Sequence, residues 1–568
     1  MSVCKKKVSC LLLGLVVLVL SGCGLRGFPE VNVATGTNGV VVSSHPAASE
    51  IGLNVLKDGG NAIDAAVAMG MALGVVDQFN SGLGGGGFMV MRLADGTVYT
   101  VDGRERAPAA ATRDMYVRNG RYDPDLSRVG VLSVAVPGLL AAYVEALELA
   151  GTRSLADLTE PSIAVAEDGF RLDPYYLSRY NLAADLLKND PESAAIYFHS
   201  DGSPLKAGDL LKQPDLARTY RKIASRGMDY FYRGEFTEQL ASYMAAHGGL
   251  ITHDDMADYR AVLREPVVGE YRDYTVIGMA PPSSGGVHVV EILNMIEASG
   301  ILQGKSSWDP ESIYWSSQFM RQAFADRAVY LGDSDYFPVP VDRLISQSYA
   351  DSLVWVIMSD GRADVQKKRQ RTAVVRGNTT NTCVVDRWGN AVAVNQTVNL
   401  RFGGKMTLPG TGIILNNQMD DFSASPGVPN FFDLVGNRAN AIEPGKRPLS
   451  SMSPTIVVSR GRPVMILGGA GGPKIITAVV ETMIDVLDFH LSLEEALTEP
   501  RFHPHPDTPV LYMEDTMPGR LRRSQRRKGQ EVVIEEELGR VQAIAWSEIQ
   551  KAYVGVADPR SGGAAAGY

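Results

Sequence analysis

A polar, basic segment that ends directly at a predicted β-hairpin constrains this chain most strongly. Residues 361–378 include Lys367-Lys-Arg-Gln-Arg-Thr and show no hydrophobic periodicity, which predicts an exposed linker. Residues 379–386 and 391–398 are rich in Val and Thr, which predicts two strands joined by a turn at residues 387–390. The sequence therefore places an accessible, cleavable segment immediately before a strand.

The hairpin brings polar side chains together at its open end. Its predicted pairing puts Thr379 opposite Val398, within one or two residues of Thr397 and Asn399. Threonine is common in strands, so the hairpin alone indicates sheet stabilisation. The linker changes this interpretation, because cleavage before Thr379 would place a free α-amine beside its hydroxyl. An α-amine with a pKa of about 7.7–8.0 can act as a general base, and such a threonine can be a nucleophile.

Composition and the remaining motifs exclude several other classes. The net charge of −9, from 55 Lys+Arg and 64 Asp+Glu, argues against a nucleic-acid partner. There is no Gly-x-Ser-x-Gly and no CxxC, so we expect neither a serine triad nor a metal or other cofactor. His503 and His505 flank Pro504, which predicts a surface loop rather than a metal site. The mixed strands and helices after residue 379 predict an α/β or α+β sandwich.

The N-terminus predicts export and lipidation. Three lysines precede an apolar stretch at residues 8–20, which is too short for a membrane span but typical of a signal peptide. The stretch ends in Leu20-Ser-Gly-Cys, which resembles the lipobox of bacterial lipoproteins. We therefore predict a signal peptide over residues 1–22 and a lipid on Cys23, the alternative being an ordinary secretory signal that contains a cysteine. Gly24 indicates anchoring at the periplasmic face of the outer membrane.

A series of segments occurs in order along nearly the whole mature chain. They are Ser44-His-Pro-Ala-Ala-Ser, Asp58-Gly-Gly-Asn-Ala-Ile-Asp-Ala-Ala-Val-Ala, Gly82-Leu-Gly-Gly-Gly-Gly-Phe, Asp102-Gly-Arg-Glu-Arg-Ala-Pro, Val134-Ala-Val-Pro-Gly, Gly249-Leu-Ile-Thr, Pro281-Pro-Ser-Ser-Gly-Gly, Ala323-Phe-Ala-Asp-Arg, Tyr330-Leu-Gly-Asp, Thr379-Thr, Leu415-Asn-Asn-Gln-Met-Asp-Asp-Phe, Lys446-Arg-Pro-Leu-Ser-Ser-Met-Ser-Pro-Thr, Gly468-Gly-Ala-Gly-Gly and Asp558-Pro-Arg-Ser. Together they resemble the γ-glutamyltranspeptidase family of N-terminal nucleophile hydrolases. The resemblance implies an α+β fold, a four-layer αββα sandwich. It also implies autocleavage between Asn378 and Thr379, which gives a large subunit, residues 23–378, associated with a small catalytic subunit, residues 379–568.

The resemblance also implies roles for individual residues. Thr379 would be the nucleophile, Thr397 would hydrogen-bond it, and the backbone N–H groups of Gly471 and Gly472 would form the oxyanion hole. Both ends of a γ-glutamyl zwitterion would be bound by side chains. Those expected on the α-carboxylate are Arg104, Ser450 and Ser451, and those expected on the α-ammonium are Asp421, Asn399 and Gln418.

The activity implied is that of a γ-glutamyltransferase and glutathione hydrolase. Its donors would be glutathione and other γ-glutamyl compounds, and its acceptors would be water, amino acids or dipeptides. One alternative is a related acylase acting on poly-γ-glutamate or a β-lactam side chain. Another is an envelope lipoprotein that binds without turnover.

Three positions bear on these alternatives. Asn381 stands where the family usually has His, which puts the efficiency of self-cleavage or deacylation in question. Phe432 stands where many members carry Tyr, so a lid hydrogen bond through that hydroxyl is unavailable. Cys383 has no partner once Cys4, Cys10 and Cys23 are removed or lipidated, and we expect a buried structural role for it.

Overall fold

The computed structural model describes residues 31–361, 377–423, 430–432, 434, 436 and 438–568. The predicted signal peptide, the predicted lipidation site Cys23, most of the linker and much of residues 426–433, the predicted lid around Phe432, lie outside the described residues. Among the helices that are described, none is long and apolar enough to cross a membrane.

The described secondary structure is mixed along the whole chain. The strands are β1 Asn32–Gly36, β2 Gly39–Ser43, β3 Gly86–Arg92, β4 Val98–Gly103, β5 Val117–Arg118, β6 Arg121–Tyr122, β7 Phe170–Arg171, β8 Leu210–Leu211, β9 Val262–Arg264, β10 Val267–Tyr271, β11 Tyr274–Gly278, β12 Thr380–Asp386, β13 Ala391–Thr397, β14 Thr455–Ser459, β15 Arg462–Ala470, β16 Phe502–Pro504, β17 Val510–Glu514, β18 Glu531–Glu535, β19 Arg540–Ser547, β20 Ala552–Ala557 and β21 Ala564–Gly567. The α-helices are α1 Pro46–Lys57, α2 Ala62–Val76, α3 Pro124–Arg128, α4 Leu139–Ala150, α5 Leu155–Asp168, α6 Pro174–Tyr180, α7 Ala184–Leu187, α8 Pro191–Tyr197, α9 Pro214–Met228, α10 Glu235–His247, α11 His253–Ala257, α12 Gly285–Ser299, α13 Pro310–Tyr330, α14 Val341–Leu344, α15 Gln347–Asp360, α16 Lys474–Leu487, α17 Leu493–Thr498 and α18 Gly519–Arg527.

Two large sheets face each other at the centre of the described fold. One has the strand order β1-β20-β19-β15-β14-β11-β10 and the other β21-β2-β12-β13-β3-β4-β9. Strands β12 and β13 pack across onto β15, while α1 and α2 cover the outer face of their own sheet and α12 and α16 cover the outer face of the other. The layers therefore run αββα, and the predicted four-layer sandwich is confirmed.

Successive apolar residues of a central strand pack into two different hydrophobic cores, as β2 shows. In β2, Val40 and Val42 lie in the core between the sheets, whereas Val41 packs into the helical layer that contains α2. Both faces of the strand are buried, so it is apolar throughout rather than alternating with polar residues. Helix α2 begins at a capping box formed by Asn61 and Asp64.

Strands from before and after residue 378 interleave in both large sheets. In one sheet β12 and β13 lie between β2 and β3, and in the other β20, β19, β15 and β14 lie between β1 and β11. Cleavage before Thr379 would therefore leave two chains that share the hydrogen-bond ladders of both sheets. The association of the subunits is built into the fold.

Candidate active site

The hairpin β12–β13 places Thr379 directly opposite Thr397. Thr380 pairs with Gln396 and Asn381 with Asn395, so the register is one residue away from the predicted pairing of Thr379 with Val398. The reason lies in the turn. The Asp386 carboxylate accepts the N–H groups of Trp388 and Asn390 at 2.9 and 3.0 Å, and Gly389 adopts a φ of 93°, so the loop closes around Trp388.

Two hydroxyl groups converge on the carbonyl that precedes Thr379. The Thr379 hydroxyl donates to the Asn378 carbonyl oxygen at 2.5 Å, and the Thr397 hydroxyl donates to the same oxygen at 3.0 Å. The two hydroxyl oxygens are 3.4 Å apart. The backbone N–H of Asn399 donates to the Thr397 oxygen at 2.9 Å, which leaves the Thr397 proton for Asn378. The Asn378 carbonyl is thus polarised beside a potential nucleophile.

Backbone donors lie next to the same peptide. Gly471 and Gly472 follow β15 with φ values of 133° and 65°, which favour glycine. A Cβ atom on Gly377 would lie only 2.4 Å from the Gly472 nitrogen, so these two backbones are in close contact. Neither Gly471 nor Gly472 donates its N–H to another residue within the described part of the chain. Both groups are therefore available to an oxyanion.

A buried ion pair forms the other end of the cavity. Arg104 is 0% exposed, and its Nη2 lies 2.5 Å from Asp421 Oδ2. Arg104 Nε also donates to the Pro448 carbonyl at 3.0 Å, and Gln418 Nε2 donates to Asp421 Oδ2 at 2.7 Å. Burial raises the pKa of the neighbouring Glu105 carboxyl to about 7, despite the Arg104 charge. In the uncleaved chain the Arg104 guanidinium is therefore paired with Asp421.

The two predicted serines lie beside a further arginine. Ser451 Oγ accepts a hydrogen bond from Arg327 Nη2 at 3.3 Å, and Ser450 Oγ accepts the N–H of Met452 at 3.1 Å. Arg327 ends the Ala323-Phe-Ala-Asp-Arg segment of α13, and it is not among the predicted site residues. Its position at the end of a segment that resembles the family is the one sequence feature that could have indicated a role in the site.

One cavity joins nearly all of the predicted site residues. Every predicted catalytic or substrate-binding residue except Gly471 lines it, and so do Arg327, Asn378 and Phe432. Asn399, predicted on the α-ammonium, donates its side-chain amide to the Asn417 carbonyl at 2.9 Å. The cavity volume is about 30 Å³. In the uncleaved chain Asn378 is itself part of the cavity wall.

Asn381 does not reach this cavity. Its Oδ1 accepts the N–H of Gln542 at 2.9 Å, and the Cys383 thiol donates to the Gln542 carbonyl at 3.2 Å. The two side chains thus bind both polar groups of one residue in the facing sheet. Burial raises the pKa of Cys383 to about 12, consistent with a structural thiol. Asn381 therefore links the two sheets through Gln542.

A buried carboxyl lies behind the nucleophile strand. Ser44 Oγ donates to Asp77 Oδ2 at 2.7 Å and makes a short contact with the Thr380 hydroxyl. Asn80 Nδ2 donates to the other oxygen of Asp77 at 2.8 Å. Burial raises the pKa of Asp77 from 3.8 to about 7. This network anchors the residue next to Thr379 to the large-subunit side of the fold.

The prediction of a surface loop around His503 and His505 is wrong. Both residues are buried, and His503 lies in β16, where its Nδ1 is 3.0 Å from the Thr477 hydroxyl. The apolar partners of β16 in the core favour burial over the loop that Pro504 indicated. Among the described residues, no group of three or more His, Cys, Asp or Glu could hold a metal ion.

Phe432, at the predicted lid, lies against Gly472. A Cβ atom on Gly472 would lie 2.8 Å from the Phe432 ring, and Phe432 N–H donates to Asn430 Oδ1 at 3.0 Å. The ring therefore packs against one of the two backbone donors, and no hydroxyl hydrogen bond is involved.

Two sheets between helical layers, with a threonine at the start of a central strand, define the class of N-terminal nucleophile hydrolases. The profile described as Gamma-glutamyltranspeptidase matches residues 48–568. The glutathione hydrolase proenzyme of Escherichia coli (strain K12) is 41% identical over 534 residues, which is 92% of this chain and 90% of that protein. The acylase ACY 1 proenzyme of Pseudomonas sp. (strain SE83) is 38% identical over 531 residues, 91% of each.

Solved structures give a matching result. The cephalosporin acylase of Bacillus halodurans has a TM-score of 0.84 at 27% identity and covers 97% of this chain and 99% of its own. The γ-glutamyltranspeptidase of Helicobacter pylori is 42% identical, with a TM-score of 0.53, over 56% of this chain and 90% of its own. This chain belongs to the γ-glutamyltranspeptidase family. The predictions of family, fold, enzyme class and a precursor activated by cleavage are confirmed.

Proposed function

We propose that this chain is a γ-glutamyltransferase and glutathione hydrolase whose acyl group is carried by Thr379. The observation that carries the proposal is the convergence of the Thr379 and Thr397 hydroxyls on the Asn378 carbonyl oxygen, beside the N–H groups of Gly471 and Gly472. This arrangement serves self-cleavage first and γ-glutamyl transfer afterwards. It needs no cofactor or metal.

Self-cleavage converts one amide into two chains. The Thr379 hydroxyl oxygen attacks the Asn378 carbonyl carbon, and the oxyanion accepts hydrogen bonds from Thr397 and the glycine N–H groups. The C–N bond breaks, the proton lost by the Thr379 hydroxyl is transferred to the Thr379 nitrogen, and an ester links Asn378 to the Thr379 oxygen. Water then hydrolyses the ester, which leaves a carboxylate on Asn378 and a free α-amine on Thr379.

The free α-amine then serves the second reaction. It removes the proton of the Thr379 hydroxyl as this oxygen attacks the γ-carbonyl carbon of the donor. The leaving amine takes a proton, and a γ-glutamyl ester remains on Thr379. Water attack releases glutamate, whereas attack by the amine of an amino acid or dipeptide forms a new γ-glutamyl bond. Release of residues up to Asn378 from the cavity makes room for this donor.

Donor recognition follows from the charged end of the cavity. The donor's α-carboxylate and α-ammonium are attached to one carbon, so they require a positive and a negative group side by side. Arg104 and Asp421 provide this pair at 2.5 Å. Ser450 and Ser451 add hydroxyl donors for the carboxylate, and Asn399 and Gln418 add polar groups beside Asp421.

An acylase function is the second candidate, because proteins named as acylases match most of this chain. The buried Arg104–Asp421 pair favours a donor with a free amino-acid end over a polymer's internal residues. Hydrolysis of a γ-glutamyl anilide by the mature protein would support the proposed function. Cleavage of an anilide donor without an α-amine at the same or a higher rate would favour the acylase.

We further propose chains of residues 23–378 and 379–568, roughly 38 and 21 kDa at the mean residue mass of this chain. The lipobox-like segment supports a lipid on Cys23 and a site of action in the cell envelope, on the periplasmic face of the outer membrane. The donors would be glutathione and other γ-glutamyl compounds at that location.

A further inference from the structure

Arg327 is a buried cation that forms no ion pair with any residue that the structure describes. It is 6% exposed and lines the cavity. Its guanidinium donates from Nε to Ser284 Oγ at 3.0 Å and from Nη2 to Ser451 Oγ at 3.3 Å, and both acceptors are neutral hydroxyls. No carboxylate oxygen of a described residue lies within 4.0 Å of its nitrogens.

The other buried arginines near the centre of the fold are neutralised or capped. Arg104 pairs with Asp421 and Glu105, and Arg560 pairs with Glu514. Arg321, on the same helix as Arg327, donates to the carbonyls of two residues in and near β17 and to a glutamine side chain. Arg327 differs from all of these because its partners carry neither a charge nor a carbonyl dipole.

Two buried acids on neighbouring helices do not neutralise the positive charge of Arg327. Glu291 and Asp326 lie in helices α12 and α13, and burial raises their pKa values to about 7 and about 8. Near neutral pH the pair therefore carries less than the two full negative charges of free carboxylates. Burial also lowers the pKa of Arg327 to about 10, with Asp421 partly offsetting the effect and Arg104 adding to it. A buried charge without a partner is costly, and a bound anion removes that cost.

We propose that Arg327, together with Ser451, binds the α-carboxylate of the donor and supplies the net positive charge that selects for it. This inference rests on the proposed function and adds a residue to it. Arg104 then holds Asp421 in place for the α-ammonium and shares the carboxylate, while Arg327 is the cation left to be neutralised by the donor. An Arg–carboxylate contact has the directionality that fixes the donor carbon between the two anchors.

Two donors of the same shape test this inference. One is a γ-glutamyl anilide, and the other is its analogue with the α-carboxylate replaced by a carboxamide, which keeps the α-amine. The parent enzyme should prefer the carboxylate by about ten- to a hundredfold in kcat/KM, the range expected for one charge-assisted contact. Arg327→Gln should reduce this preference to within about threefold.

Control variants separate binding from folding. Arg321→Gln removes a buried arginine from the same helix outside the cavity and should keep the parent's preference. Arg327→Lys keeps the charge and should retain a preference between those of the parent and Arg327→Gln. Self-cleavage of each precursor reports whether it has folded.

An undiminished carboxylate preference in Arg327→Gln would overturn the inference, and so would an equal loss of activity towards both donors. If Arg327→Gln does not mature, an undiminished preference in Arg327→Lys together with parent-level activity would overturn it in the same way. A parent that self-cleaves but hydrolyses neither donor would overturn the proposed function itself, and this inference with it.

Discussion

Replacing Thr397 with valine should slow self-cleavage while the fold is kept. The variant loses the hydroxyl that donates to the Asn378 carbonyl oxygen at 3.0 Å. That oxygen gains its full negative charge only when Thr379 attacks, so the lost donor matters most in the transition state. Removal of one oxyanion donor costs about 2.7–4 kcal/mol, which is a rate loss of about 10²- to 10³-fold.

The other consequences of Thr397→Val change the stability of the fold and not the rate of self-cleavage. The Asn399 N–H loses its acceptor, which costs about 1–3 kcal/mol of folding free energy. That cost is present in the ground state and the transition state alike, so it leaves the barrier unchanged. Valine keeps the shape of threonine, so no cavity term is added.

The assay is a time course of purified precursor on a denaturing gel, with the fraction cleaved fitted to a single exponential. Thr397→Ser retains the hydroxyl and should cleave within a fewfold of the parent rate. Thr382→Val is the matched control, because its buried hydroxyl on β12 has no hydrogen-bond partner in the described structure. Cleavage of Thr397→Val at the parent rate, or equal slowing by Thr382→Val, would refute the reasoning.

Three further outcomes follow from the site and its surroundings. Arg104→Gln should lower kcat/KM for a γ-glutamyl anilide by about ten- to a few hundredfold yet leave self-cleavage intact, because cleavage uses no γ-glutamyl group; slowed maturation would contradict this. The raised pKa of Asp77, about 7, means that the folded state holds this proton more tightly than the unfolded chain does. Its contribution to stability is thus complete below about pH 4 and declines as the pH rises through 7. As the pH rises from 5 to 8.5, the free energy of unfolding of Asp77→Asn should therefore increase by about 2–3 kcal/mol relative to that of the parent. A difference in Tm between the two proteins that does not change with pH would contradict this prediction. Cys23→Ser should release active protein from membranes or block signal removal, whereas fractionation with membranes like the parent would exclude the lipid anchor.

Much of the site was predictable because its residues lie in segments that resemble a family. Thr379, Arg104 and Asp421 come from distant parts of the sequence, and no local pattern would join them. The hairpin did predict that Thr379 and Thr397 meet, but its register depended on how Asp386 caps the turn, which strand periodicity does not reveal.

Other features depended on tertiary packing that the sequence alone does not express. Asn381 shares its strand face with Thr379, yet it binds Gln542 because the second sheet lies over that part of the strand. His503 is buried because core side chains surround the short strand β16, whereas Pro504 had led to the prediction of a loop there. Arg327 was not predicted as a site residue because what distinguishes it is the lack of an acidic side chain within ion-pair distance among the described residues. The neighbours of a buried charge can be identified only from the three-dimensional structure.

Mass spectrometry of the purified protein, after incubation at neutral pH, tests the central claim most directly. The parent should give two polypeptides, the smaller of which begins at Thr379 and the larger of which ends at Asn378. Thr379→Ala should remain a single chain without activity towards a γ-glutamyl anilide. An intact parent chain, a cut at another bond, or cleavage of Thr379→Ala at the same bond would contradict the account.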